Sequence, residues 1–319
     1  MTQRQYDPDF EAIIALLPTV TDFSTVEKVQ EARNMQRYAA FGDGGPPPKR
    51  DDVESEDRNV AGPEGAPDVA VRIYRPRAAA SGPRPCVFEI HGGGFMVGDL
   101  EMMDPWCERV CGELGAVVVS TNYRLAPEDP FPAGIEDCYA ALCWTADNAG
   151  ELGIDIERLA IAGQSAGGGL AAGCALMARD RDGPKLCFQL LEIPELDDRL
   201  ATPSMEAFTD TPLWNLPNAE WSWRHYLGPN HTGEVSPYAA PARAKDLSGL
   251  PPAYISTMEF DPLRDEGIFY AMGLMQAGVS VELHSYPGTF HGSALMPGAD
   301  ATRRNANEVL AVLGRRLGA

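Results

Sequence analysis

From Asp68 onward, short β-branched runs alternate with segments of helical spacing, and this alternation limits the fold more than any other feature of the chain. "VAVRIYRP", "CVFEI", "AVVVSTNY", "RLAIAG", "LCFQLLEIP", "PAYISTME" and "VELHSYP" read as strands. "DPWCERVCGELG", "AGIEDCYAALCWTADNAGEL", "SAGGGLAAGCALMARD", "DEGIFYAMGLMQAG" and "ATRRNANEVLAVLGRRL" read as helices. Strands that are apolar throughout need cover on both faces, which predicts an α/β fold: a mostly parallel central sheet flanked by helices. A chain of 319 residues can bury such a core without covalent staples.

Two regions break the alternation. Near the N-terminus, "FEAIIALLPTV" and "VEKVQEARNMQRYAAF" have helical spacing and run into "GDGGPPPKRDD", which cannot continue a helix. Between Pro194 and Pro252 lies an insert rich in aromatics, including Trp214, Trp221, Trp223 and Tyr226. There Asn215 or Asn218 can cap a short helix and Gly228 can follow its end. The expected division is residues 1–50 as the N-terminal part of a small helical cap, 51–195 as core, 196–230 as cap insertion and 231–319 as the rest of the core.

"RLAIAGQSAGGG" places Ser165 in a G-x-S-x-G pentapeptide between a strand and a helix. In that context the serine stands on a sharp bend, and the glycines on either side relieve clashes. The following helix points its N-terminus, with free N–H groups, at the same spot. A serine nucleophile needs a base, a carboxylate and an oxyanion hole. His291 in "PGTFHG" follows a strand and is favoured over His284, which lies within one. Asp261 sits at a turn after a strand and is favoured over Asp265 and Glu266, which fall in the next helical turn. Asp265 is expected to stiffen this loop or support the histidine. The order Ser165, Asp261, His291 is that of α/β-hydrolases. "EIHGGGFMVGD" follows another strand, and its glycines suit a backbone that must approach a substrate closely. Gly93, Gly94 and Ala166 are the expected oxyanion donors, and His91 is expected to hold the loop.

These motifs carry a resemblance. "HGGGF", "NYRLAPEDPFPAGIEDCYAAL", "GQSAGGGLAA" and "DPLRDEG" followed by "FHG" resemble the hormone-sensitive-lipase-like esterases, α/β-hydrolases with an HGGG motif, and in particular their acetylesterases. The resemblance implies Ser165, Asp261 and His291 as triad and Gly93, Gly94 and Ala166 at the oxyanion hole. It implies a lid from the N-terminus and the insert, no metal or cofactor, and a homodimer or higher homo-oligomer. In some relatives that assembly forms through the last strand. Gln164 departs from the usual G-D-S-A-G, keeping hydrogen-bonding capacity without the charge. Glu89, inside a strand, needs a partner or a solvent-facing position.

Composition narrows the partners. The net charge of −20 argues against nucleic acid and anionic membranes. No stretch reaches the about 18 apolar residues of a membrane span, and the N-terminus does not read as a signal peptide. Seven scattered cysteines read as buried thiols in a reducing compartment, which predicts a cytoplasmic protein. The expected activity is a serine carboxylesterase on short acyl esters, acetyl to butyryl, of soluble alcohols. Phe95, Met96 and Trp214 are expected to wall its pocket. The alternatives are an amidase or formamidase, a lactonase, or a non-catalytic receptor. The last is disfavoured because His291 is retained.

Overall fold

The computed structural model describes residues 4–19, 21–41, 49–296 and 298–319. Most of the expected Gly-Pro linker, residues 42–48, lies outside them. The strands are β1 Val53–Val60, β2 Val69–Pro76, β3 Arg84–Ile90, β4 Val117–Asn122, β5 Ile154–Gln164, β6 Phe188–Glu192, β7 Ala253–Phe260 and β8 Val281–Phe290. The helices are α1 Glu11–Ile14, α2 Val26–Phe41, α3 Leu100–Leu114, α4 Ala133–Asp147, α5 Ala149–Leu152, α6 Ala166–Asp180, α7 Pro203–Ala207, α8 Leu216–Leu227, α9 Arg264–Gln276 and α10 Asp300–Leu317. The described strands form one sheet in the order β1-β2-β4-β3-β5-β6-β7-β8. β1–β2 and β2–β4 pair antiparallel, and every other pair is parallel.

Alternate residues of each strand serve opposite faces. Phe88, Val119, Ile161 and Ile255 pack with α4, α6 and α9 side chains on one face, including Leu142, Leu170 and Leu274. Val87, Val118, Ala160 and Tyr254 pack against α3 and α10 on the other, including Met103, Cys107 and Leu313. This double cover is why the strands carry so few polar residues. Glu89 is an exception. It is buried, Ser120 Oγ donates to its Oε2 at 2.6 Å, and burial pushes its pKa up to about 8.

Three elements differ from the sequence expectation. β1, "VESEDRNV", escapes recognition because its charges mask any apolar pattern; it is an edge strand with only its end valines buried. The long helix over 133–152 breaks at Asn148, whose side-chain Nδ2 donates to Trp144 O at 2.8 Å, and a short α5 closes on left-handed Gly153. β8 continues beyond "VELHSYP" to Phe290 through a register shift, with Gly288 at φ +72°, so His291 stands directly at the strand end.

The N-terminal segments and the insert pack together. Phe23, Val29 and Ala32 share one cluster with Met96, Val97, Met205, Trp214, Ala219 and Leu263. Asn215 caps α8, accepting from Asn218 N at 3.3 Å, and Gly228 follows its last residue. Leu213 N donates to Pro18 O at 2.9 Å, tying the insert to the N-terminal segment.

Candidate active site

The bend after β5 holds Ser165 at φ +55°, ψ −122°, in the left-handed region that non-glycine residues seldom occupy. Close packing dictates the glycines beside it. A Cβ on Gly163 would lie 2.2 Å from Gly167 O, and one on Gly167 would lie 2.1 Å from Ile90 O. Ser165 is also the N-cap of α6, so Ala166 N is the first N–H of a helix, which lacks an intrahelical acceptor.

Ser165 Oγ lies 2.9 Å from His291 Nε2, and His291 Nδ1 lies 2.8 Å from Asp261 Oδ2. Leu263 N donates to the other Asp261 oxygen at 2.8 Å, so this carboxylate both shapes the turn into α9 and faces the imidazole. Asp261 is 0% exposed, Ser165 7% and His291 8%. A buried carboxylate accepting from Nδ1–H fixes the tautomer and turns the Nε2 lone pair toward the hydroxyl. Such a chain can move a proton off Oγ as it attacks an electrophile.

The glycine loop after β3 is pressed against this bend: a Cβ on Gly92 would lie 2.8 Å from Gln164 O. Gly93 and Gly94 have φ of +119° and +56°. A Cβ on Gly94 would lie 2.5 Å from the Trp214 ring. His91 is fully buried and stacks on Tyr123 with centroids 4.3 Å apart. Its Nδ1 bonds Gly92 O at 2.7 Å, and burial lowers its pKa to about 4, so it is a neutral brace for the loop.

Of the three pocket candidates, Trp214 has its ring 5.7 Å from that of His291. Phe95 and Met96 are both buried. The left-handed backbone at Phe95, φ +59°, turns its ring onto Tyr226, 3.9 Å between centroids, within the main core. Met96 is buried between α2 and the insert. Asp265 does not bond His291; it accepts from Ser204 N at 2.8 Å and pairs with Arg264, tying α7 to the start of α9. His284 lies within β8, beside Glu282.

Gln164 finds its reason in Glu192. Gln164 Nε2 donates to Glu192 Oε2 at 3.2 Å, and Asn305 donates to Oε1 at 3.1 Å. Burial raises the Glu192 pKa, and these donors oppose the rise. An aspartate at 164 would set two carboxylates against each other. Gln164→Asp is expected to cost about 1–3 kcal/mol at neutral pH. The facing acids would have raised folded-state pKa values, so the deficit shrinks as pH falls and they take up protons; thermal melts at neutral and mildly acidic pH check this.

Several neighbours of the site are invisible in the sequence. Arg33 of α2 donates to Met96 O at 2.7 Å and Ala126 O at 2.9 Å, clamping the N-terminal helix to the glycine loop. Leu213, at φ +64°, would meet a Cβ on Gly292 at 2.8 Å. Ser222 reaches the glycine loop at Gly94 O, 3.1 Å away, and Glu195 bonds Ser222 in turn. No local spacing marks any of them. Among the described residues, Glu282, His284 and Glu308 could jointly hold a metal, but Arg315 already sits 3.2 Å from both Glu282 oxygens and 3.4 Å from Glu308. No described helix is long and apolar enough to cross a membrane.

Comparison with known proteins identifies the family. The family profile described as "alpha/beta hydrolase fold" matches residues 87–295. A solved structure titled Bacterial Heroin Esterase superposes with a TM-score of 0.93 at 50% identity, covering 98% of each chain. Carboxylesterase NlhH of Mycobacterium tuberculosis is 40% identical over 328 residues, 97% of each chain. Ethyl acetate hydrolase of Pseudomonas putida is 34% identical over 227 residues, 69% of this chain and 70% of that one. With its fold, its glycine loop and its serine bend, the chain belongs to the hormone-sensitive-lipase-like branch of the α/β-hydrolase family.

Proposed function

We propose that this ester hydrolase cleaves short-acyl esters of soluble alcohols, with Ser165 as nucleophile, His291 as general base and acid, and Asp261 as the group that orients it. The observation that carries the reading is the unbroken chain of 2.9 Å from Ser165 Oγ to His291 Nε2 and 2.8 Å from His291 Nδ1 to Asp261 Oδ2. Oγ attacks the ester carbonyl while its proton passes to Nε2. The oxyanion is held by the N–H groups of Gly93, Gly94 and Ala166. Collapse expels the alcohol, which takes the proton from His291. Water, activated by the same imidazole, then releases the acid from Ser165. Every group in this scheme comes from one chain.

Acyl length follows from what stands over the serine. Trp214 lies against both Gly94 and the His291 ring, and it is only 7% exposed. A ring held there shortens the space beside the oxyanion loop. That a relative is an ethyl acetate hydrolase fits a small acyl group. The N-terminal segments and the 196–230 insert serve as the cap that carries this ring.

The test is kcat/KM on p-nitrophenyl acetate, butyrate, octanoate and palmitate. Turnover should peak at acetate or butyrate. In Trp214→Ala the octanoate-to-acetate ratio should rise about tenfold, because a few methylenes gain room. The ratio is the readout, since loosening the loop lowers all rates together. A wild-type peak at octanoate or beyond would overturn the short-acyl reading.

A further inference from the structure

Ser222 Oγ, at the centre of α8, lies 3.1 Å from Gly94 O and 2.9 Å from Glu195 Oε1. Both Ser222 and Glu195 are fully buried. A hydroxyl has one proton to donate. A carbonyl oxygen can only accept, and so can an ionised carboxylate. With Glu195 ionised, two acceptors compete for one proton, and the loser stays buried against an oxygen. With a proton on Oε1 the conflict disappears: Glu195 donates to Ser222 Oγ, and Ser222 donates to Gly94 O.

We propose that Glu195 is kept protonated and is a positioning residue, which through Ser222 fixes the Gly94 carbonyl and with it the oxyanion loop. The proposal rests on the serine-esterase reading and deepens it. Gly94 is packed by the Trp214 ring and its carbonyl is bonded by Ser222, within the loop that contains the expected donors. Glu195 is also tied to the nucleophile, for its N–H donates to Ser165 O at 3.0 Å. One residue thus links the serine bend, through its backbone N–H, to the glycine loop, through its side chain and Ser222.

The surroundings favour the neutral acid. Asp261, beyond β7, is a carboxylate whose field opposes a second negative charge at Glu195. Glu266 of α9 accepts from Leu196 N at 2.8 Å, and burial, with Glu195, Asp197 and Asp261 nearby, holds its pKa well above the usual range. Among the described residues, Tyr226 of α8 and Tyr123 after β4, both buried, are further titratable groups whose charge would interact with Glu195. Asp197 is itself paired with Arg199 at 2.6 Å, and none of the groups acting directly on Glu195 is a cation. Burial, with Asp261 adding to it, pushes the Glu195 pKa up to about 8. Asp261 itself faces His291 Nδ1 at 2.8 Å.

The experiment compares wild type, Glu195→Gln and Ser222→Ala on one short p-nitrophenyl ester across neutral to alkaline pH. Wild-type kcat should fall on the alkaline side as Glu195 ionises. Glu195→Gln keeps a donor to Ser222 but cannot ionise, so it should retain neutral-pH kcat within about threefold and lose that alkaline fall. Ser222→Ala should lower kcat about tenfold with KM nearly unchanged, a fraction of the 10²–10³ that a lost oxyanion donor costs. If Ser222→Ala folds poorly, the Glu195→Gln profile decides. An alkaline limb unchanged in Glu195→Gln, or a folded Ser222→Ala with wild-type kcat, overturns the proposal. The infrared difference between wild type and Glu195→Gln at neutral pH should contain a protonated-carboxyl band, and its absence overturns the proposal without reference to turnover. Ser165→Ala runs alongside. Hydrolysis that survives in that variant defeats the esterase reading, while the infrared band still reports on Glu195.

Discussion

Replacing Ser165 with alanine should lower kcat on a short-chain ester by on the order of 10⁵-fold while leaving the thermal midpoint nearly unchanged. The size follows from the geometry. Oγ has the His291 imidazole at 2.9 Å, so its loss removes the atom that attacks and leaves the base with nothing to deprotonate. The backbone loses nothing. Alanine is no more strained than serine at φ +55°, and the bend is maintained by Gly163, Gly167 and the Ser165 N–H to Glu192 O bond of 2.9 Å. Steady-state kinetics and a melting curve on the same preparation separate the two effects. A residual rate within tenfold of wild type would contradict the nucleophile assignment.

Asp261→Asn should cost about 10⁴-fold in kcat. Asp261 accepts two N–H donors, Leu263 N through Oδ1 and His291 Nδ1 through Oδ2, each at 2.8 Å. An asparagine has one acceptor to offer. If its oxygen stays on Leu263 N, its NH₂ faces Nδ1 and drives the ring proton to Nε2, where the base must be free. If it flips, the turn into α9 loses its bond instead. Either arrangement is penalised, so a small stability loss of about 1 kcal/mol accompanies the rate loss. Kinetics together with imidazole proton resonances would show the tautomer change. Wild-type kcat in this variant would remove Asp261 from the mechanism.

The parts of the site legible in the sequence are those where sterics leave little choice. Gly163, Gly167, Gly93 and Gly94 occupy places where a Cβ would strike backbone or an indole, so the motifs could be read without any contact map. Asp261 and His291 were legible because each follows a strand, and the structure brings both to Ser165. The fold was legible where strands are buried on both faces. It was not legible at β1, whose charges hide its period, nor at Asn148, where one side-chain bond ends a helix that spacing alone would continue. Phe95 could not be placed from sequence because its left-handed backbone decides which way the ring turns. Arg33, Ser222 and Glu195 come from distant segments and meet the glycine loop only through tertiary packing.

Gln164 shows how a departure from a motif can be read once its neighbour is known. It is conservative only because Glu192 stands opposite and needs a donor. The same principle organises the buried acids around the site. Glu192, Glu195 and Glu266 are each raised by burial, and each makes at least one hydrogen bond. Neutral acids can be stored beside Asp261 at far lower cost than charged ones.

The central claim is that Ser165 becomes acylated, and covalent trapping tests it most directly. Incubation with a short-chain organophosphorus ester, followed by intact-mass and peptide mapping, should show one adduct per chain on Ser165, with labelling much slowed in His291→Ala and absent in Ser165→Ala. An adduct on another residue, or undiminished labelling of Ser165→Ala, would contradict the claim.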